Sequence, residues 1–129
     1  MDLNLKNRKI IITGSGDGIG RTLALAFAKE GAQIAACARS QERLDSLSRE
    51  IDGDGHLFYS SDLSTSKGVE SFHKNVMNQL GQVDVLINNA GTIFRADGCD
   101  TDDDQWQDVF DINVNGVFYF SRAAANQMA

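Results

Sequence analysis

The chain contains no proline, two cysteines, a deficit of positive charge and no long apolar run, and each lack narrows what it is. Average proline usage is about 5%, so a proline-free chain of 129 residues suits regular elements joined by tight glycine turns. Cys37 and Cys99 have no ligand-like spacing and no cysteine or histidine partner in motif range. Cys37 lies in an apolar run and is expected to be a small buried hydrophobe. No stretch approaches the roughly 18 to 20 apolar residues of a membrane span. The opening Met1-Asp2-Leu3-Asn4-Leu5-Lys6 lacks the charged-then-apolar layout of a secretory signal. A cytoplasmic protein is the expectation. Twelve bases stand against 18 acids, a formal net charge of −6. A surface of that sign gives no footprint for nucleic acid or anionic lipid. Any phosphate must be held locally, by backbone amides and a few chosen cations.

What is present is a strict alternation of short apolar runs and longer amphipathic ones, in a length that gives one domain and one core. Lys9-Ile10-Ile11-Ile12-Thr13 is β-branched and ends at glycines, the pattern of a buried strand. A helix is predicted from Gly18 to Glu30, with Ile19, Leu23, Ala26 and Phe27 at helical spacing and Gly31 as its stop. Gln33 to Ala38 forms the second strand. Ser40 caps a second helix carrying Leu44, Leu47 and Ile51 on one face. His56 to Tyr59 gives the third strand, and a helix over Ser66 to Leu80 buries Val69, Phe72, Val76 and Leu80 before Gly81 ends it. Val83 to Asn88 is the fourth strand. A polar loop through Asp100 leads into a long helical region from Asp103, anchored by Trp106, Val109 and Phe110 and then by Val117, Phe118 and Phe120.

Strands separated by such helices pair in parallel through right-handed crossovers. The predicted fold is α/β, a doubly wound parallel sheet of Rossmann type with strand order 3-2-1-4.

The most informative segment is Thr13-Gly14-Ser15-Gly16-Asp17-Gly18-Ile19-Gly20, which joins the first strand to the first helix. Glycines admit positive φ and let a ligand approach where a Cβ would block it. The helix N-terminus beyond them aims free amides outward, where they attract phosphate. The segment lacks the Gly-Lys-Ser/Thr of a P-loop and also departs from strict G-x-G-x-x-G spacing. A turn that needs glycine only to bend is the alternative.

The spacing T-G-x-x-x-G-I-G resembles the fingerprint of the short-chain dehydrogenase/reductase family, and three further motifs follow in order. Asp62-Leu63 after the third strand is similar to the family's adenine-contacting acidic pair. Asn88-Asn89-Ala90-Gly91 matches its N-N-A-G, and Asn113-Val114-Asn115-Gly116 its N-[V/I]-x-G, whose first Asn is a catalytic member. The resemblance covers essentially the whole chain. It implies that Gly14, Ser15, Gly16, Asp17, Gly18, Ile19 and Gly20 cradle a pyrophosphate, and that Asp62, Leu63, Asn89, Ala90 and Gly91 receive the adenosine. Asp62 also suits a helix cap or turn acid, and Asn-Ala-Gly a simple strand-ending turn.

The cofactor implied is NADP, with NAD the alternative. In dinucleotide folds a carboxylate about 20 positions past the glycines binds the ribose 2′-hydroxyl, whereas a nearby arginine accommodates a 2′-phosphate. Here the second strand ends Ala38-Arg39-Ser40, with no carboxylate in that place. Asp17 argues the other way, since NADP-preferring relatives commonly carry a base there.

The family's chemistry is hydride transfer between nicotinamide and a carbonyl or alcohol, with a Tyr as general acid/base, a Lys four residues later and a substrate-orienting Ser. Only Asn113 of that set is present. Tyr59 is followed four positions on by Leu63 and Tyr119 by Ala123, so both tyrosines are expected to pack. Residues 1–129 are therefore expected to be a partial NAD(P)-binding domain, truncated after the fifth helix and inactive alone. In the full-length protein the resemblance implies a small carbonyl or alcohol substrate and a homo-oligomer, dimer or tetramer. The face of Val117, Phe118 and Phe120 is expected to lie open. A non-catalytic dinucleotide-binding module and an extended-family epimerase or dehydratase are the rival readings.

His56 and His73 are isolated and suit surface or packing positions. Asp97, Asp100, Asp102, Asp103 and Asp104 read as a solvated loop, with Thr101 or Asp102 capping the next helix, rather than as a cation site.

Overall fold

A computed structural model describes residues 1–95 and 98–129, so Asp97 lies outside the described residues. Four parallel strands, β1 (Lys9–Thr13), β2 (Gln33–Ala38), β3 (Leu57–Ser60) and β4 (Val85–Ile87), form a sheet in the order β3-β2-β1-β4. The helices are α1 (Gly18–Lys29), α2 (Gln41–Glu50), α3 (Ser66–Leu80), α4 (Asp103–Phe110) and α5 (Gly116–Met128). Successive side chains of a strand point to opposite faces, and β1 and β2 bury both. Ile10, Ile12, Ile34, Ala36 and Ala38 join Leu44 and Leu47 in one layer, under α1 and α2. Ile11, Ala35 and Cys37 join Val69, Phe72, Val76 and Phe120 in the other, under α3 and α5. Burial on both faces is why these strands read as continuous apolar runs rather than alternating ones.

α1 buries only part of the face that its larger residues suggest: Leu23 and Phe27 pack half-buried against the core. Ile19 is 73% exposed, Ala26 is exposed, and the buried stripe is Gly20, Ala24 and Ala28. Small residues every fourth position let the helix backbone settle close on the sheet, which bulkier ones would hold away. α2 and α3 follow the expected pattern, capped by Ser40 and by Thr65, and α3 ends at Gly81 with φ 78°.

β3 starts one residue late because His56 has another task. Its Nδ1 accepts from the Ile34 amide at 3.0 Å, which leaves Nε2–H to donate to the Asp52 carbonyl at 2.8 Å. β4 is shorter than Val83–Asn88 because its flanks bond elsewhere. The Val83 amide donates to the Gln127 side chain at 2.9 Å, and past Ile87 the Asn89 amide donates to the Thr13 hydroxyl at 3.0 Å.

The final helical region is two helices joined by a π-helical turn over Asp111–Asn115, where the Gly116 amide reaches back to the Asp111 carbonyl. Asp102 caps α4 in a capping box with Gln105. Trp106 is 62% exposed and Phe118 is 56% exposed, so Trp106 stacks on Phe110 at the surface and anchors nothing inside. Phe120, expected on the open face, is instead 1% exposed and packs edge-on against Phe72, their centroids 5.7 Å apart. Tyr59 meets Phe72 from the other side at 6.1 Å, as a packing residue.

His73 on α3 carries a buried Nε2 with no hydrogen-bond partner among the described residues, and burial lowers its pKa. The fold therefore accepts the neutral ring. The stability tied to this ring is full above the unfolded value of about 6.5 and is lost as pH falls through the depressed folded value. Urea midpoints should drop from pH 7 to pH 5 more steeply in the parent than in His73→Gln. Equal slopes would show that His73 titrates as it does in water.

Candidate functional site

The carboxyl ends of β1, β2 and β4 open onto a cleft of about 250 Å³ lined by Gly14, Gly16, Asp17, Ala38, Arg39, Arg43, Asp62, Leu63, Ala90 and Gly91, among others. Its floor is the glycine turn. Gly14 (φ 66°) has an ideal Cβ position only 2.8 Å from Ala90 Cα, and the Cβ of a residue in place of Gly20 would strike the Gly14 carbonyl. Gly18 (φ 55°) faces open space, so its requirement is the backbone conformation alone. Asp17 caps α1, its Oδ1 accepting from the Gly18 amide at 2.8 Å. The next amides, of Ile19 and Gly20, precede the first intrahelical bond, from Arg21 to the Asp17 carbonyl. An anion could take them. A cradle that no side chain fills suits a phosphate group.

Ser15 turns inward. It is fully buried, its amide donates to the Cys37 carbonyl, and its Oγ accepts from the Cys37 amide at 3.0 Å. It thus extends the β1–β2 pairing by one residue and does not line the cleft. Gly18, Ile19, Gly20 and Asn89 are also absent from the lining, so their part in the site is to shape it or to present backbone at its edge. Cys37, beneath, has its thiol pushed up to about 12 by burial.

Thr13 holds the cleft together. Its Oγ1 accepts from the Asn89 amide at 3.0 Å and the Ala90 amide at 2.9 Å. Asn89 Nδ2 in return donates to the Thr13 and Gly14 carbonyls at 3.2 and 3.1 Å. The end of β4 is stitched to the end of β1 by four bonds among four residues. The T-G spacing includes Thr13, yet its place in the pattern does not reveal this clasp.

On the far wall Asp62 and Leu63 are fixed from behind. An ideal Cβ at Gly116 would come within 2.6 Å of the Leu63 carbonyl, and one at Gly68 would collide with the Asp62 carbonyl. Asp62 Oδ1 accepts from the Ser64 hydroxyl at 2.6 Å and the Ser64 amide at 3.0 Å, which lowers its pKa, with a smaller contribution from the Arg39 charge. The turn-acid reading thus describes that oxygen, while the same side chain still lines the cleft. Arg39 is exposed and has no ion-pair partner among the described residues. Arg43, not singled out from the sequence, lines the same cleft and pairs with Asp17 at 3.3 Å. Its signal is its spacing, one helical turn beyond Arg39.

Asn113 sits in the π-helical turn. Its Oδ1 accepts from the Thr92 amide and its Nδ2 donates to the Thr92 carbonyl, both at 2.8 Å. The side chain thus clamps the loop after β4. It borders an adjoining cleft that shares Ala90 and Gly91 with the first.

The model of the short chain dehydrogenase family matches residues 8–129. An NADPH-dependent pterin aldehyde reductase from Arabidopsis thaliana is 37% identical over 112 residues, covering 85% of this chain and 46% of that protein. The crystal structure of a short-chain type dehydrogenase/reductase from Mycobacterium marinum superposes with a TM-score of 0.89 at 34% identity, over 96% of this chain and 50% of that one. A metagenomic short-chain oxidoreductase crystallised in complex with NADP gives 0.92 at 29% identity, over 96% and 57%. The chain belongs to the short chain dehydrogenase family. It spans about half the length of these three relatives.

Thr13→Val keeps the shape of the side chain and removes the acceptor, leaving the Ala90 amide unpaired and the Asn89 amide only its 3.1 Å bond to the Ile87 carbonyl. Stability should fall by about 1 to 3 kcal/mol in urea unfolding, whereas Thr13→Ser should cost less than about 1 kcal/mol. A valine variant within about 0.5 kcal/mol of the parent, the ordinary range for a surface change, would remove the clasp from its central place.

Proposed function

We propose that the cleft is the adenosine and phosphate end of a nicotinamide dinucleotide site, in an oxidoreductase that acts between a carbonyl and an alcohol. The observation that carries this is the meeting of an unfilled glycine cradle with Arg39, a cation without a partner among the described residues, in one cleft. Gly14 and Gly16 give the pyrophosphate room, and the Ile19 and Gly20 amides with the α1 dipole attract its charge. Asp62 presents its second oxygen to the adenine amino group, and Leu63 lies against the base. Ala90 and Gly91 let backbone pass beside the ribose, held there by Thr13 and Asn89.

NADP is the preferred cofactor in this reading. Arg39 directly follows β2, where a 2′-phosphate needs a donor, and Asp17, the residue that argued otherwise, is occupied by the α1 cap and Arg43. The printed names of two relatives support the same choice, one being NADPH-dependent and one crystallised with NADP. The dinucleotide, when bound, supplies the hydride chemistry. Asn113 contributes by fixing the loop at Thr92, beside the adjoining cleft.

Arg39→Asp should swing the NADP-to-NAD affinity ratio toward NAD by about tenfold or more, because each charged hydrogen bond contributes roughly 1.5 to 3 kcal/mol. An unchanged ratio would place the 2′-phosphate elsewhere. The 129-residue chain by itself should give no turnover, for it holds no Tyr-x-x-x-Lys to deliver a proton. NADPH-dependent carbonyl reduction by the purified chain would overturn that expectation and send the search to Tyr119 and the aspartates.

A further inference from the structure

The glycine-turn pattern does not anticipate a second arginine in the cleft. Arg43 lies in the first turn of α2, and its Nη1 stands 3.3 Å from Asp17 Oδ2, so the pair bridges α2 and the glycine turn. Its backbone is fixed, since its amide donates to the Ser40 hydroxyl that caps the helix. Its stem is fixed too. An ideal Cβ at Gly16 would come within 3.1 Å of Arg43 Cβ, so the glycine leaves the space the arginine occupies. Asp17 holds the α1 cap with one carboxylate oxygen and meets Arg43 with the other. The side chains of both partners are mostly exposed, at 62% and 74%. An open pair of this kind contributes little to stability. Its effect is to hold a guanidinium at the rim of an anion-shaped cleft.

We propose that Arg43 is a second cation for the 2′-phosphate of the dinucleotide, kept in position by Asp17 until the phosphate competes for it. This rests on the reading of the cleft given above. A phosphate carries more charge than one carboxylate oxygen and offers a guanidinium two acceptors at once, which favours the exchange. Asp17 keeps its helix cap throughout. The acid on the glycine turn therefore acts through its partner on α2, tuning affinity for the 2′-phosphate rather than forbidding it.

Calorimetric titration of the protein with adenosine 2′,5′-bisphosphate and with adenosine 5′-monophosphate tests this. Arg43→Gln should weaken the bisphosphate about tenfold and leave the monophosphate within about twofold. Asp17→Asn keeps an oxygen for the α1 cap and should tighten the bisphosphate about threefold more than the monophosphate, which shares only the loss of a nearby negative charge. Equal losses for the two ligands in Arg43→Gln would mark a structural role and overturn the proposal. So would an unchanged bisphosphate affinity in either variant. If Arg39→Gln alone weakens the bisphosphate, the cleft keeps its assignment and Arg43 loses its own. If the parent binds neither nucleotide, both fall together.

Discussion

One hydroxyl, that of Thr13, carries the geometry of the whole rim. By accepting from the Asn89 and Ala90 amides it draws the end of β4 against the end of β1. That approach is close enough that residue 14 must be glycine, since its Cβ would sit on Ala90. Asn89 then completes the stitch with its side chain on the Thr13 and Gly14 carbonyls. The shape of the turn, the position of Ala90 and Gly91 and the opening of the cleft are therefore one coupled feature. A change at either strand end alters the other.

The electrostatics follow from that geometry. A chain with a net charge of −6 repels anions at long range, so attraction has to be created over a few ångströms. In the proposed site the amides at the head of α1 would do part of this, and Arg39 and Arg43, which line the cleft, the rest. Asp17 and Asp62 stand in the same cleft, but each has carboxylate oxygen committed to backbone amides. Acids held in this way shape the site and contribute less repulsion than their count suggests.

The sequence made the fold legible where periodicity reports burial directly. The β-branched run of β1, the apolar run of β2 and the Val69, Phe72 and Val76 stripe of α3 each lie where the pattern puts them. The α1 face was half legible, for Leu23 and Phe27 pack against the core while Ile19 and Ala26 do not, and the fully buried stripe is Gly20, Ala24 and Ala28 because the helix lies close. The limits of β3 and β4 depend on which partner a backbone amide finds, His56 for Ile34 and Gln127 for Val83, and neither is local in sequence. The same reason hid Arg43, whose place in the cleft requires α2 to dock beside the glycine turn. It also hid the inward face of Ser15, which exists only because β2 runs alongside. Family motifs named the neighbourhood of the site, and tertiary hydrogen bonds decided what each side chain does there.

The π-helical turn between α4 and α5 works as a phase shifter. One extra residue in that turn rotates everything beyond it by about 100° relative to an unbroken helix. With that rotation Phe120 and Ala124 face α3 and the sheet, Gly116 lies against the Leu63 carbonyl, and Phe118 looks outward. Deleting a single residue between Asp111 and Asn115 would restore a regular helix and turn those residues off the core together. The five-residue turn thus has a fixed length in a way that the surface loops around it do not, although its own side chains are only half-buried or exposed.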